Sequence, residues 1–238
     1  MAQFLDLLAW GDAGWSDDLA RGLLVTIEIS IGAYLTGLAI GGFVAWIKLT
    51  GSRTAIAIAN AYSTICRAVP EILLIIILFY AGQSALNAAV GAMGMEDIGI
   101  SGFAAAIIVL GLVQGAYASE IIRGAVLAVP KGQIEAARAY GFDGIRLFRR
   151  ITLPAIVPFA LPGLVNLWMI IMKDSTLISV VGYAELLFAA KQAAGSTKYY
   201  FSFYLLIGAI YYALTLLSSL LIGRLEARVR RWMPRGAT

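Results

Sequence analysis

The stretch Val129-Pro130-Lys131-Gly132-Gln133-Ile134-Glu135-Ala136-Ala137-Arg138-Ala139-Tyr140-Gly141-Phe142, continuing to Ile151-Thr152-Leu153-Pro154, is a polar, basic interval between two long apolar runs. Pro130 stands where a helix can begin, because the N–H it lacks is one that a first turn leaves unbonded. Ile134 to Ala139 is rich in strong helix formers, and Gly141 suits the left-handed residue that ends a helix. The interval predicts a short helix at about 131–141, with Ala136, Ala137 and Ala139 offering a shallow surface that another protein can grip. Glu135 reads as a capping or docking residue and not as an acid catalyst, since an exposed segment has no cavity around it. Arg146, Arg149 and Arg150 then mark a membrane interface before the next apolar run.

Outward from this interval the chain is apolar. Of its 238 residues, 61% are hydrophobic and 13% charged, whereas soluble domains run at about 45–50% and about 25%. Five stretches approach or exceed the length that crosses a bilayer as a helix, about 20 residues. They are Gly22–Leu49, Ile56–Gly82 (interrupted by Arg67, Pro70 and Glu71), Phe103–Val129, Ile156–Val181 and Phe201–Leu225. The fold class predicted is all-α, a polytopic membrane protein of about five transmembrane helices. Residues 1–21 are expected to form an outer, interfacial segment in which Trp10 and Trp15 favour headgroup level, residues 22–225 the membrane domain, and residues 226–238 a basic tail. The N-terminus lacks the basic n-region of a secretory signal peptide. Gly37/Gly41 in span one and Gly111/Gly115 in span three carry the spacing that permits close helix approach; in glycine-rich spans that spacing also arises by composition.

The charges set an orientation. Lys48 and Arg53 follow span one, Arg123, Lys131, Arg138, Arg146, Arg149 and Arg150 follow span three, and Arg224, Arg228, Arg230, Arg231 and Arg235 follow span five. The opposite side holds Asp6, Asp12, Asp17 and Asp18 against Arg21, then Glu96 and Asp97, then Glu185, Lys191 and Lys198. The positive-inside rule places the N-terminus in the periplasm and the C-terminus in the cytoplasm, which requires an odd number of spans. The net charge of +4 sits in short runs and on no polar domain, which argues against nucleic-acid binding. With no histidine and one cysteine, Cys66, the usual zinc sites, a histidine-based triad and an intrachain disulfide are excluded. No Gly-x-x-x-x-Gly-Lys-Ser/Thr run is present to cradle nucleotide phosphates.

Glu135, Ala136, Ala137, Gly141, Ile151, Leu153 and Pro154 match, at every fixed position, the Glu-Ala-Ala, three residues, Gly, nine residues, Ile-x-Leu-Pro signature of permeases of binding-protein-dependent ABC importers. The chain resembles that family, and in it the short helix is the coupling helix that docks into a cytoplasmic ATPase. The likeness extends to Arg67-Ala-Val-Pro70-Glu71, which is similar to the Arg-Gly-Thr-Pro segment of the polar amino-acid branch but has Ala68 and Val69 in place of Gly-Thr. Gly115-Ala-Tyr117-Ala-Ser-Glu120-Ile-Ile-Arg123, Leu161-Pro-Gly-Leu-Val-Asn166 and Lys173-Asp174-Ser175-Thr176-Leu177 are similar to the third and fourth spans of that branch. Gln114 with Gly115-Ala-Tyr117 brings the chain nearest to permeases for histidine, lysine, arginine, ornithine and the opines octopine and nopaline.

The resemblance implies a non-catalytic subunit of a type I importer in a bacterial inner membrane. Its implied partners are a dimer of ABC ATPases that bind ATP and Mg, a periplasmic substrate-binding protein, the lipid bilayer, and a second permease chain, related but different, with a homodimer as the alternative. The chain itself is expected to hold no cofactor or metal.

Charges inside spans are costly and mark candidate sites. Asp174, Glu71 and Glu120 can accept hydrogen bonds from the cationic groups of a basic amino acid, and Arg67, Ser175 and Thr176 can donate to its carboxylate. Gln114 and Tyr117 share a helix face. A simpler role exists for each: Arg67 and Glu71, four apart, can neutralise one another, and Glu120 and Arg123 can serve a helix end. Pro154, Pro158 and Pro162 predict a bent start to span four. Two rival functions remain: a permease for glutamine or glutamate in the same family, and a self-contained proton-coupled carrier whose acids relay protons. The lack of histidine and of a nucleophile–base pair argues against an intramembrane enzyme.

Overall fold

The computed structural model describes residues 4, 6–11, 14–92 and 101–230. Asp12, the acidic pair Glu96 and Asp97, and Arg231 and Arg235 of the basic tail lie outside them. Among the described residues there are helices and no strands. In chain order they are α1 (Ser16–Thr50), α2 (Arg53–Ala68), α3 (Glu71–Ala92), α4 (Gly102–Ala128), α5 (Lys131–Ala139), α6 (Gly144–Leu147), a π turn at Phe148–Thr152, α7 (Leu153–Asp174), a 3₁₀ turn at Ser175–Val181, α8 (Leu186–Thr197) and α9 (Tyr200–Arg230). Four of the helical runs are long and apolar enough to cross a membrane, and α2 with α3, bent by 116°, makes a fifth if that pair is one broken span.

The axis of the molecule is the α1–α4 pair. Its two Gly-xxx-Gly motifs meet each other. A β-carbon on Gly37 would lie 3.4 Å from the Gly111 carbonyl and the Gly115 nitrogen, one on Gly41 would lie 2.5 Å from Ala118 Cβ, and one on Gly111 would lie 2.7 Å from Thr36. A methyl group fits against the partner at Gly37 but not at Gly41 or Gly111, so the small residues let the two backbones close. Around this pair Ile29, Ile75, Leu110, Leu167, Ile171 and Ile178 form the main core, joining α1, α3, α4, α7 and the 3₁₀ turn.

The break of span two falls where it was expected, at Pro70, and three other features differ from the sequence-based expectation. Ser16 to Arg21 belong to α1, with Asp17 and Asp18 in its first turn, where acidic side chains complement the helix dipole; they form no separate interfacial helix. Span two is two helices, because Pro70 has no N–H and holds the residue before it in extended conformation. Span four is α-helical only to Asp174. Ser175 and Thr176 donate their hydroxyls back to the Met172 and Lys173 carbonyls, which competes with helical bonding, and the 3₁₀ turn that follows stops at left-handed Gly182, φ 86°. The segment after span four, expected as a loop, contains α8, which packs Ala190, Ala193 and Ala194 against Leu19 of α1 and Phe203 and Ile207 of α9. The prolines of α7 are preceded by the π turn, a widening that accommodates a residue unable to donate to the turn before it.

Candidate functional site

A cavity of about 300 Å³ opens between α2, α4 and α7, lined by Arg67, Tyr117, Glu120, Asn166 and the apolar Ile121, Leu167 and Ile170. Tyr117 joins it to a second group of polar side chains: Glu71 at the start of α3 lies within electrostatic reach of both Tyr117 and Asp174. Gln114, fully buried on α4, donates from Nε2 to Asp174 Oδ2 at 2.6 Å. Its Oε1 is buried and has no hydrogen-bond partner among the described residues. So α3, α4 and the end of α7 bring together two carboxyls and an orphan amide oxygen. Lys173 stands adjacent in sequence but is exposed, and Arg67 reaches the same group through Tyr117. The set carries more acceptors than donors, and a ligand rich in N–H groups would complement it.

Glu120 faces the same cavity but both its oxygens are engaged. Lys48 Nζ lies 2.5 Å from Oε1, and Arg123 donates through Nε and a terminal nitrogen to Oε2 at 3.0 and 2.9 Å. The Lys48 side chain is 2% exposed and also donates to the Ser63 hydroxyl of α2, which in turn donates to the Ala59 carbonyl at 2.7 Å. A buried ammonium is costly without such partners. The result is a cluster that ties α1, α2 and α4 together one turn from Arg67.

The remaining candidates fall as follows. Ser175 is buried with its hydroxyl on the Met172 carbonyl, and Thr176 is bonded to the Lys173 carbonyl, so neither hydroxyl proton is directed at the acidic group. Asn166 was not singled out as a site residue, although a signal existed: Asn166, Ile170 and Asp174 are spaced four apart and share one stripe of α7. Glu185 was also missed. It is fully buried, caps α8 by accepting from the Leu187 and Phe188 N–H groups, each at 2.9 Å, and accepts from Thr26 and Tyr211 hydroxyls at 3.3 and 3.2 Å. Burial pushes its carboxyl above the usual range, against the lowering effect of those donors. Among the described residues no group of three metal-ligating side chains forms.

The short helix α5 rests one face, through Ile134 and Ala137, on the end of the bundle and leaves the other exposed. Its end is a left-handed stop: Gly141 has φ 81°, its N–H bonds the Arg138 carbonyl at 2.9 Å, and the Phe142 N–H reaches back to Ala137 at 3.1 Å, the pair of bonds that closes a Schellman motif. Glu135, Ala136, Ala139, Gly141, Leu153 and Pro154 are exposed, Ile151 is half-buried, and Ala137 turns inward. The surface offered is therefore Ala136 and Ala139 with Tyr140, 86% exposed, and Ile145, 69% exposed.

Comparison with known proteins places these features in context. The family described as "Binding-protein-dependent transport system inner membrane component" matches residues 37–231. The chain is 40% identical to the octopine transport system permease protein OccQ of Rhizobium meliloti, over 98% of this chain and 99% of that protein. It is 40% identical to the histidine/lysine/arginine/ornithine transport system permease protein HisQ of Escherichia coli, over 90% and 94%. Its fold is similar to that of a chain in the crystal structure of an amino acid ABC transporter with histidines, at a TM-score of 0.74 and 29% identity, covering 90% of this chain and 95% of that one.

Proposed function

The chain belongs to the family of binding-protein-dependent transport system inner membrane components, and from that membership we propose that it is one of two permease halves of an ATP-driven importer for basic amino acids or opines in a bacterial inner membrane. Relatives named for octopine and for histidine, lysine, arginine and ornithine support the substrate class; octopine shares a guanidinium group with arginine. The observation that carries it is the pairing of Asp174 with Glu71 beside the unpartnered Gln114 Oε1. Two carboxyls and an amide oxygen at membrane depth attract a guanidinium or ammonium group, and Arg67, with Asn166 across the cavity, can receive a carboxylate.

The cycle follows from the two surfaces. A periplasmic binding protein delivers substrate to the outer face, where the N-terminus lies. The cationic side chain settles against Asp174, Glu71 and Gln114. A pair of ATPases, holding ATP and Mg, grips α5 on the cytoplasmic face through Ala136, Ala139 and Tyr140, with Glu135 at the edge of the contact. Closure of the ATPases draws the coupling helices of the two permease chains together and exposes the site outward; hydrolysis returns it inward. The π turn and the prolines of α7 lie between α5 and Asp174, so movement of α5 reaches the site along one continuous segment.

Uptake measurements test this. Cells lacking the chain, and cells with it restored, take up labelled arginine in the presence of lysine, histidine, octopine, glutamine or glutamate. The expected result is uptake that vanishes on ATP depletion and yields only to the cationic competitors. Asp174→Asn is expected to cut arginine uptake about tenfold or more, the loss of one hydrogen-bonded charge. Best competition by glutamine or glutamate would discard the substrate class and keep the importer; uptake indifferent to ATP would discard the importer.

A further inference from the structure

From Asp174 the chain runs through the 3₁₀ turn, seven residues long, to Glu185, the cap of α8. Runs of 3₁₀ geometry beyond three or four residues are uncommon, because their hydrogen bonds are poorly aligned. Seven residues rise about 14 Å as a 3₁₀ helix and about 10.5 Å as an α-helix. A relapse to α-helix would therefore pull Asp174 and Glu185 toward each other. The segment keeps its length only if both of its ends are held.

The far end is held at Glu185. Its carboxylate accepts from the Thr26 hydroxyl of α1 at 3.3 Å and from the Tyr211 hydroxyl of α9 at 3.2 Å, and the Leu186 N–H donates to Thr26 Oγ1 at 3.2 Å. Backbone bonds carry this anchor back along the segment. The Glu185 N–H donates to the Tyr183 carbonyl at 3.0 Å, the Tyr183 N–H to the Ile178 carbonyl at 3.4 Å, and the Gly182 N–H to the Ser179 carbonyl at 3.2 Å. At the near end Ser175 is fully buried and lies within reach of the same Tyr211 hydroxyl. Asp174, one residue earlier and so about 100° round the helix, is turned to Gln114 of α4. One hydroxyl thus serves both ends of the segment, on the α9 side, while Asp174 faces α4. We propose that Tyr211 is a positioning residue for the transport site: it pins the segment against α9, which fixes where α7 ends and how Asp174 meets Gln114 and the substrate. A tie that only docked α8 would need Glu185 and Thr26; Ser175 lies at the other end of the segment from α8. The proposal rests on the reading of Asp174 as a substrate contact.

The test uses the purified complex of the two permease chains and the ATPases, without binding protein, so that labelled arginine reports on the membrane site alone. The dissociation constant is read beside the thermal midpoint. Tyr211→Phe removes the hydroxyl and keeps the ring that packs on the core between α1, α8 and α9. It is expected to weaken arginine binding about fivefold, the weight of one hydrogen bond, with the midpoint little changed. Ser175→Ala is expected to weaken it similarly. In an Asp174→Asn background, Tyr211→Phe is expected to add less than about twofold, because it acts through the carboxylate. Unchanged binding in both Tyr211→Phe and Ser175→Ala, beside a weakened Asp174→Asn, overturns the positioning role and leaves the site standing. An effect of Tyr211→Phe that is undiminished in the Asp174→Asn background also overturns it. If Asp174→Asn binds arginine as the unaltered complex does, or if neither binds it, the site reading itself fails and takes the proposal with it.

Discussion

Five residues of α4 separate Gln114 from Glu120, and the two side chains anchor opposite kinds of polar cluster. Around Glu120 every group is matched: Lys48 takes one oxygen, Arg123 the other, and Ser63 completes the ammonium. Around Gln114 the matching fails: Asp174 and Glu71 share a small space, and an amide oxygen has no donor among the described residues. Matched charges hold helices in register, while surplus acceptors call for something that is not part of the chain. Position inside a span is therefore a poor guide to role. Glu120 lines the same cavity as Arg67 and Tyr117, yet its electrostatics are those of a structural tie.

The sharpest way to break this contrast is to remove the partners one at a time. Glu120→Gln leaves Lys48 buried without its counter-charge and is expected to destabilise the chain by about 3–5 kcal/mol. Lys48→Met leaves Glu120 still held by Arg123, and its loss is expected to be about 1 kcal/mol. The double variant should recover most of the stability lost in Glu120→Gln. Thermal unfolding of the purified complex reads all three. Equal losses from the two single variants would show that the cluster is not a tie built around the lysine.

Gln114→Leu probes the other cluster. It removes the donor at 2.6 Å from Asp174 and leaves two acids with one fewer partner. The expected outcome is a tenfold or greater rise in the substrate concentration for half-maximal uptake, the scale of a hydrogen bond to a charge, with thermal stability lowered far less than in Glu120→Gln. A variant that unfolds as readily as Glu120→Gln would make Gln114 a structural residue, and the two clusters would no longer differ.

Sequence reasoning served these regions unequally. The segment of Glu135, Ala136, Ala137 and Gly141 was legible because everything that shapes it is local: a proline before it, helix formers within it, and a glycine at the stop. The two Gly-xxx-Gly pairs were legible singly, but nothing in one helix says which other helix it meets, and that they meet each other appears only in three dimensions. The role of Glu120 was hidden for the same reason, since Lys48 lies 72 residues away. The backbone bonds of Ser175 and Thr176 were not legible either, because a hydroxyl in a span can bond its own backbone as readily as a ligand. Helix α8, 12 residues long, is too short to register as a span and its alanines carry little periodicity.

The rigid half of the contrast also rests on the α1–α4 contact, which adjacent glycines can test. Gly41→Ala places a methyl group 2.5 Å from Ala118 Cβ and 2.9 Å from the Ser119 nitrogen, and overpacking of that kind is expected to cost about 1–3 kcal/mol. Gly42→Ala meets nothing within 4 Å and is expected to be neutral or stabilising by up to about 1 kcal/mol, the difference in helix propensity. Unfolding midpoints that move together for the two variants would mean that α1 and α4 separate easily.

Glu185 combines the two regimes, and its effect is the smallest. Like Glu120 it is fully partnered, by two backbone N–H groups and the hydroxyls of Thr26 and Tyr211; unlike Glu120 it has no cation, and burial raises its pKa despite those donors. A carboxyl whose folded pKa exceeds its unfolded value binds more protons folded than unfolded in the interval between the two. The stability it contributes is therefore full below the unfolded pKa and is lost as the pH rises through the folded one. The docking of α8 on α1 and α9 should weaken as a mildly acidic buffer is made neutral and then alkaline, read as a falling unfolding midpoint or as faster amide exchange at Leu187 and Phe188. Glu185→Gln keeps an acceptor for the helix cap and removes the ionisation, so its midpoint should lie flatter across the same interval. A slope that Glu185→Gln leaves unchanged would assign the pH dependence to another group and leave Glu185 as a hydrogen-bonded helix cap whose ionisation plays no part.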